Sequence, residues 1–156
     1  MPAVRKDGAG ANPLMKSKYL LEHGDYTYAI DAYTALVDTD PSSYEARLGL
    51  GVSYLANGEA ASAVVALEEA ALLETGDAQA ARVLASIYAT QNDPDRAKFW
   101  LERVIEKDPT DFDAIYHLGL LCSEMSDITN AIRFLELALQ LRPDHELARR
   151  ELDRLI

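Results

Sequence analysis

The side chains best equipped for covalent or proton-transfer chemistry in this chain are three histidines, His23, His117 and His145, and one cysteine, Cys122. Nucleophilic or acid–base catalysis needs a nucleophile, a base and an orienting group within reach of one another. No Ser, Cys or carboxylate pattern gathers around any of the three histidines. His23 falls at a break between helices and His145 in a first helical turn, so both are expected to face solvent. Cys122 lies on an apolar stripe and reads as a buried, inert thiol. As the single cysteine it forms no internal disulfide, and it supplies no metal-ligand spacing. Gly8-Ala9-Gly10 precedes no strand and is not a phosphate-cradling loop. Glu68-Glu69 and Asp38 with Asp40 read as solvated surface charge, and Trp100 as a residue packing between repeated units. The expectation is a chain that is not an enzyme and needs no cofactor and no metal.

A second kind of chemistry, burial of a partner's apolar surface, depends on the elements that hold the side chains. These are organised by a repeat. The segment FDAIYHLGLLCSEMSDITNAIRFLELALQLRP, from Phe112 to Pro143, carries Leu118-Gly119, Ala131, Leu135, Ala138 and Pro143. Thirty-four residues earlier stand Leu84-Ala85, Ala97, Leu101, Val104 and Pro109. One period before that come Leu50-Gly51, Ala63, Leu67 and Ala70, with Thr75 in the proline's place. The first copy keeps Ala29, Tyr33, Leu36 and Pro41 but has Lys16-Ser17 at the apolar-small pair. A fixed period without insertions marks a repeat architecture.

Composition narrows the function classes. The 156 residues are 49% hydrophobic, enough for a continuous core. No apolar run approaches the roughly 18 residues of a membrane span, and residues 1–20 lack a signal peptide's apolar centre. A cytoplasmic location without membrane insertion is therefore expected. The formal charge of −11 has the wrong sign for holding a phosphate backbone, so nucleic acid is not expected as a partner. Arg5, Lys6, Lys16 and Lys18 outnumber Asp7 near the start, which reads as a basic, flexible tail over residues 1–11 leading into a domain at 12–156.

The local signals predict paired helices. Asn12 and Pro13 form an N-cap and first-turn pair, with a helix to about His23. Gly24-Asp25 breaks the chain before a helix to about Asp38. Ser42 with Glu45 reads as a capping box. Asn57-Gly58, Gly76-Asp77, Asn92-Asp93-Pro94, Thr110 or Asp111, and Ser126-Asp127 repeat the punctuation, and Asp144 is expected to cap a last helix through Arg154. No segment alternates with period two, so no sheet is expected. Small residues at Gly51, Ala63 and Ala70 should let two helices approach closely, and Gly119 should do so against Ala131.

Leu50-Gly51, Tyr54, Ala63, Leu67 and Ala70, with Leu84-Ala85, Tyr88, Ala97, Leu101 and Pro109, resemble the tetratricopeptide repeat. The resemblance implies an all-α, right-handed solenoid of four helix-turn-helix repeats at about 12–43, 44–77, 78–111 and 112–145, closed by a capping helix at about 145–155. The family's early tryptophan is replaced by Arg47, Ala81 and Ile115, and Cys122 stands where an aromatic belongs.

The resemblance also implies that the first helix of each pair lines a concave groove. Leu48, Val52 and Leu55 lie a third of a turn from Leu50 and Tyr54. Their counterparts are Leu14, Lys18 and Leu21, then Arg82, Ser86 and Ala89, then Tyr116, Leu120 and Ser123, with Arg150 and Arg154 on the last helix. The expected function is a protein-interaction adaptor or scaffold that binds a peptide or helical segment of another protein at Leu48, Val52, Leu55, Arg82, Ser86, Tyr116, Leu120 and Arg150. A cytoplasmic chaperone for secreted translocators of the type III class is the first alternative. A self-assembling scaffold is the second, since Leu14, Met15, Tyr19, Leu20 and Leu21 exceed what one neighbour buries. The Lys/Asn clamp for acidic chaperone tails is not expected, because Leu48, Val52 and Val83 occupy those places.

Overall fold

A computed structural model describes residues 12–73 and 77–156; the tail at 1–11, and Thr75 and Gly76, lie outside the described residues. Among the described residues there are nine helices and no strand. These are α1 (Pro13–Glu22), α2 (Tyr26–Thr39), α3 (Tyr44–Ala56), α4 (Ala60–Ala71), α5 (Gln79–Thr90), α6 (Pro94–Lys107), α7 (Phe112–Glu124), α8 (Ile128–Leu141) and α9 (Glu146–Leu155). The chain divides into two compact units, residues 1–75 and 76–156. The first holds α1 to α4 and the second α5 to α9.

One turn joins the helices of every pair. Its central residue has a left-handed backbone, at Gly24 (φ 82°), Gly58 (φ 84°), Asn92 (φ 57°) and Ser126 (φ 62°), each 34 residues after the last. The following amide returns to the helix just ended, as in Asp25 N to Leu20 O at 2.9 Å and Asp127 N to Cys122 O at 2.8 Å. This is the Schellman arrangement, which satisfies carbonyls the helix end would leave unpaired. Glycine adopts that backbone without strain and asparagine tolerates it, whereas serine pays a steric penalty.

The N-caps of α3, α7 and α9 keep the same period. Ser43 accepts from the Ala46 amide at 3.3 Å, Asp111 from Ala114 at 2.9 Å, and the His145 ring Nδ1 from Ala148 at 3.1 Å. Two sequence assignments are corrected here. Ser42 is not the cap of α3, because Asp40 Oδ1 takes both its amide (3.0 Å) and its hydroxyl (2.6 Å) in a turn around Pro41. Asp108 does the same for Thr110 around Pro109. Likewise His145, not Asp144, caps α9. It is half-buried against Phe112 and Tyr116 instead of facing solvent, with both ring centroids 4.8 Å away. For Nδ1 to accept, its ring proton sits on Nε2. Asn12, Asp93 and Asp127 cap α1, α6 and α8 as the sequence implied.

In the first unit α2 packs on α1 and α3, and α3 on α4. Ala29, Tyr33, Ala46, Ala63, Leu67 and Ala70 form its interior. Ser17 is fully buried at the small-residue position of α1, its hydroxyl donating to the Pro13 carbonyl at 3.0 Å. The irregular Lys16-Ser17 pair thus keeps the repeat's small side chain and turns lysine outward. Arg47, in place of the family's tryptophan, donates through Nε to the Pro41 carbonyl at 2.8 Å and pairs with Glu69.

In the second unit α5 pairs with α6 and α7 with α8, while α6 packs on α7 and α8 on α9. Phe112, Ile115, Leu118, Cys122, Ala131 and Phe134 share one buried cluster, against which Leu155 of α9 packs. Trp100 packs on Ala78, Ala81, Val104 and Ala114, bridging the α5/α6 pair to α7. Burial also raises the Cys122 thiol above its ordinary pKa, as expected of an inert thiol.

Helices approach closely at Gly51 and Gly119. A Cβ on Gly51 would fall 2.5 Å from Leu67 Cγ, and one on Gly119 would fall 2.9 Å from Leu135 Cγ and 3.3 Å from its amide nitrogen. Leu135 is therefore the surface that confines Gly119, in place of the expected Ala131, which lies one turn earlier on α8. Gly119→Leu should lower stability by about 1–3 kcal/mol, as overpacking does. Ser126→Gly should raise it by about 0.5–1 kcal/mol through relief of the left-handed backbone. Urea unfolding checks both, and an unchanged midpoint for Gly119→Leu would contradict the packing described.

Candidate functional site

The first helices of the second unit enclose a cleft of about 570 Å³. Its construction starts at Arg82, in the first turn of α5. The guanidinium reaches Asp111, the N-cap of α7, with Nε at 2.8 Å and Nη2 at 2.5 Å from Oδ2. Oδ1 of the same carboxylate accepts the Ala114 amide. One aspartate thereby starts α7 and ties it to α5. Burial alone would raise the pKa of Asp111, but the Ala114 amide and the Arg82 guanidinium outweigh it and hold the carboxyl below its usual value.

Between these helices Ala85, Ala89, Ala114 and Leu101 give the cleft apolar walls, and Ser86, Asp113 and His117 supply its polar edge. Ser86, Ala89, Asp113 and His117 are exposed. The His117 ring Nδ1 lies 2.6 Å from the Asp113 carbonyl oxygen, to which it donates. That leaves Nε2 as an acceptor.

The same positions one repeat later carry different chemistry. Tyr116 stands where Arg82 does and meets His145 where Arg82 meets Asp111. Beyond it Ser123 donates to Glu151 Oε1 at 2.8 Å and accepts from Arg154 at 3.0 Å, so α7 and α9 are linked by polar contacts.

Of the residues expected to contact a partner, Arg82 and Ser86 line the cleft, together with Ala89 of the same stripe. On α7 the cleft is lined instead by Asp113, Ala114 and His117; Tyr116 and Leu120 are half-buried on the stripe beside them. Arg150 is exposed, 3.8 Å from Glu146. In the first unit Leu48 and Val52 are half-buried and Leu55 is exposed on α3. On α1, Met15 and Tyr19 are exposed, with the Tyr19 ring stacked on His23 at 3.8 Å, and Leu14 and Leu21 are half-buried. Asp113 and His117 were missed because their role depends on which side of α7 turns toward α5, a detail set by the crossing of two helices. Among the described residues no group of three or more His, Cys, Asp or Glu side chains is placed to hold a metal. No described helix is long and apolar enough to cross a membrane.

Three family models, each described as tetratricopeptide repeat, match residues 14–82, 54–122 and 112–145, and together they span the four helix pairs. The chain belongs to the tetratricopeptide repeat family. Two crystal structures of MamA resemble it. One has 26% identity over 92% of this chain and 78% of that one, with a TM-score of 0.78. The other has 27% identity over 89% and 81%, with a TM-score of 0.76. YrrB, a tetratricopeptide protein with an unusual peptide-binding site, shares the fold at 17% identity, 92% and 74% coverage and a TM-score of 0.77. No curated protein matches the chain by sequence. The fold is thus the all-α tetratricopeptide solenoid, a type that supports protein-interaction scaffolds and is typically non-enzymatic.

Asp111 makes the stability of the second unit pH-dependent. Its folded pKa is lowered, so its contribution is complete above the unfolded value, about 3.9, and is lost as pH falls through the folded one. Asp111→Asn keeps a capping side chain but loses the ion pair. It should be less stable than the parent at pH 7, with the gap closing below about pH 4. Urea midpoints measured across that range check the sign.

Proposed function

We propose that the chain is a non-enzymatic adaptor that binds a peptide or helical segment of a partner protein through the exposed faces of its first helices. The observation that carries this reading is the cleft between α5 and α7, with apolar alanine and leucine walls and a few polar groups at its edge. Such a surface gains affinity by excluding water from apolar area, while sparse charges set the register of the ligand. Leu48, Val52 and Leu55 on α3, Tyr116 and Leu120 on α7, and Arg150 on α9 are proposed as further contact positions. The peptide-binding site for which YrrB is described lends support at the level of fold.

Ala89 tests the cleft because it is small, exposed and part of its wall. Ala89→Trp should fill the space and abolish capture of a partner first identified from native extract and then purified. Helicity by circular dichroism should stay unchanged. Undiminished affinity at intact helicity would place the ligand elsewhere.

A second reading, self-association through α1, is favoured by Met15 at 66% and Tyr19 at 53% exposure. Met15→Ser with Tyr19→Ser should lower the mass seen by light scattering at high concentration. A parent that is already monomeric there removes this reading.

A further inference from the structure

The charges around the α5/α7 cleft do not balance. Among the described residues Arg82 is the one lysine or arginine lining it, and that charge is spent on Asp111 through two contacts to a single oxygen. Asp113, also lining the cleft, has no comparable partner. Arg142 comes only to 4.0 Å from Oδ1, the limit of an ion pair, and its guanidinium lies 4.0 Å over the Phe112 ring. The Asp113 side chain is 76% exposed. The remaining polar groups at the edge, the Ser86 hydroxyl and the unbonded His117 nitrogen, can both accept hydrogen bonds. A cleft with a surplus carboxylate, a hydroxyl and alanine walls is complementary to one kind of side chain: a long apolar stem ending in a cation.

We propose that this cleft recognises an arginine- or lysine-bearing peptide segment, the stem lying along Ala85, Ala89 and Ala114 and the cationic head meeting Asp113. The proposal rests on the adaptor reading above and names its ligand class. Arg82 does not set the sign of the ligand, because its charge is already answered within the protein. The formal charge of −11 draws such a ligand in from a distance, and the cleft then selects where it stops.

Three fluorescein-labelled alanine- and leucine-rich peptides, identical except for arginine, glutamine or glutamate at every third position, serve as probes in anisotropy titrations. The arginine peptide should bind about tenfold more tightly than the glutamate peptide, with glutamine between them, and the difference should shrink with added salt. Asp113→Lys should bring the arginine and glutamate affinities to parity or reverse them, and Asp113→Asn should narrow the gap. Glu136→Lys makes the same charge change at an exposed site on α8 outside the cleft and should leave the preference standing. Equal affinities in the parent, a preference for glutamate, or binding of none of the three overturns the proposal. So does an equal loss of preference in Asp113→Lys and Glu136→Lys, which would mean only general attraction to an acidic protein. Binding of the arginine peptide that survives undiminished in Ala89→Trp, at intact helicity, would show instead that the cleft is not the site, and the adaptor reading built on it fails first.

Discussion

Every helix pair in this protein depends on one steric constraint: the first helix must present almost nothing at the point where the second crosses it. Ser17, Gly51, Ala85 and Gly119 hold that place, 34 residues apart, and all are buried. At Gly51 and Gly119 even a methyl group would meet a leucine of the partner helix. Such proximity lets Leu67 and Leu135 lie against backbone, where dispersion contacts are numerous and no room remains for water. The consequence reaches beyond the pair. Fixing each crossing fixes the spacing of first helices in a stack, and thereby the width of the space between α5 and α7. The cleft is a by-product of the small residue.

Much of this was legible in the sequence because it is periodic. Left-handed turn residues, helix caps and small positions each recur at the same interval, so a weak signal at one position is reinforced by its counterparts. Lys16-Ser17 looked degenerate on type alone, yet serine is small enough to serve, and its buried hydroxyl is satisfied by the carbonyl one turn back. The misassigned caps at Ser42 and Asp144 show the same logic in reverse. Each was judged locally, as a good capping residue after a proline, whereas the 34-residue register of Ser43, Asp111 and His145 names the right position in both places. Histidine escapes composition-based reading because it caps only through one ring nitrogen in one tautomer.

What the sequence could not show is which charges meet. Arg82 and Asp111 are 29 residues apart and belong to different helix pairs; their contact follows from how α5 lies against the start of α7, not from any spacing along the chain. The same holds for Arg47, whose position appeared only as a missing tryptophan. The structure gives it two jobs, one on the Pro41 carbonyl and one on Glu69. An arginine that is one groove position, or one missing tryptophan, along the chain is a tie between elements in the folded protein.

That change of role bears on how one backbone can serve different ligands. Arg82 with Asp111 and Tyr116 with His145 occupy equivalent positions, and in both pairs the second residue caps the following first helix. The cap keeps the geometry whatever side chain leans on it: an ion pair in one repeat, edge-to-face rings in the next. The side chains at exposed positions on the same helices, such as Ser86 and Asp113, have no part in either the crossing or the cap. Their identity can therefore change without disturbing the constraint that holds the helices together, which leaves them available for the ligand preference proposed above.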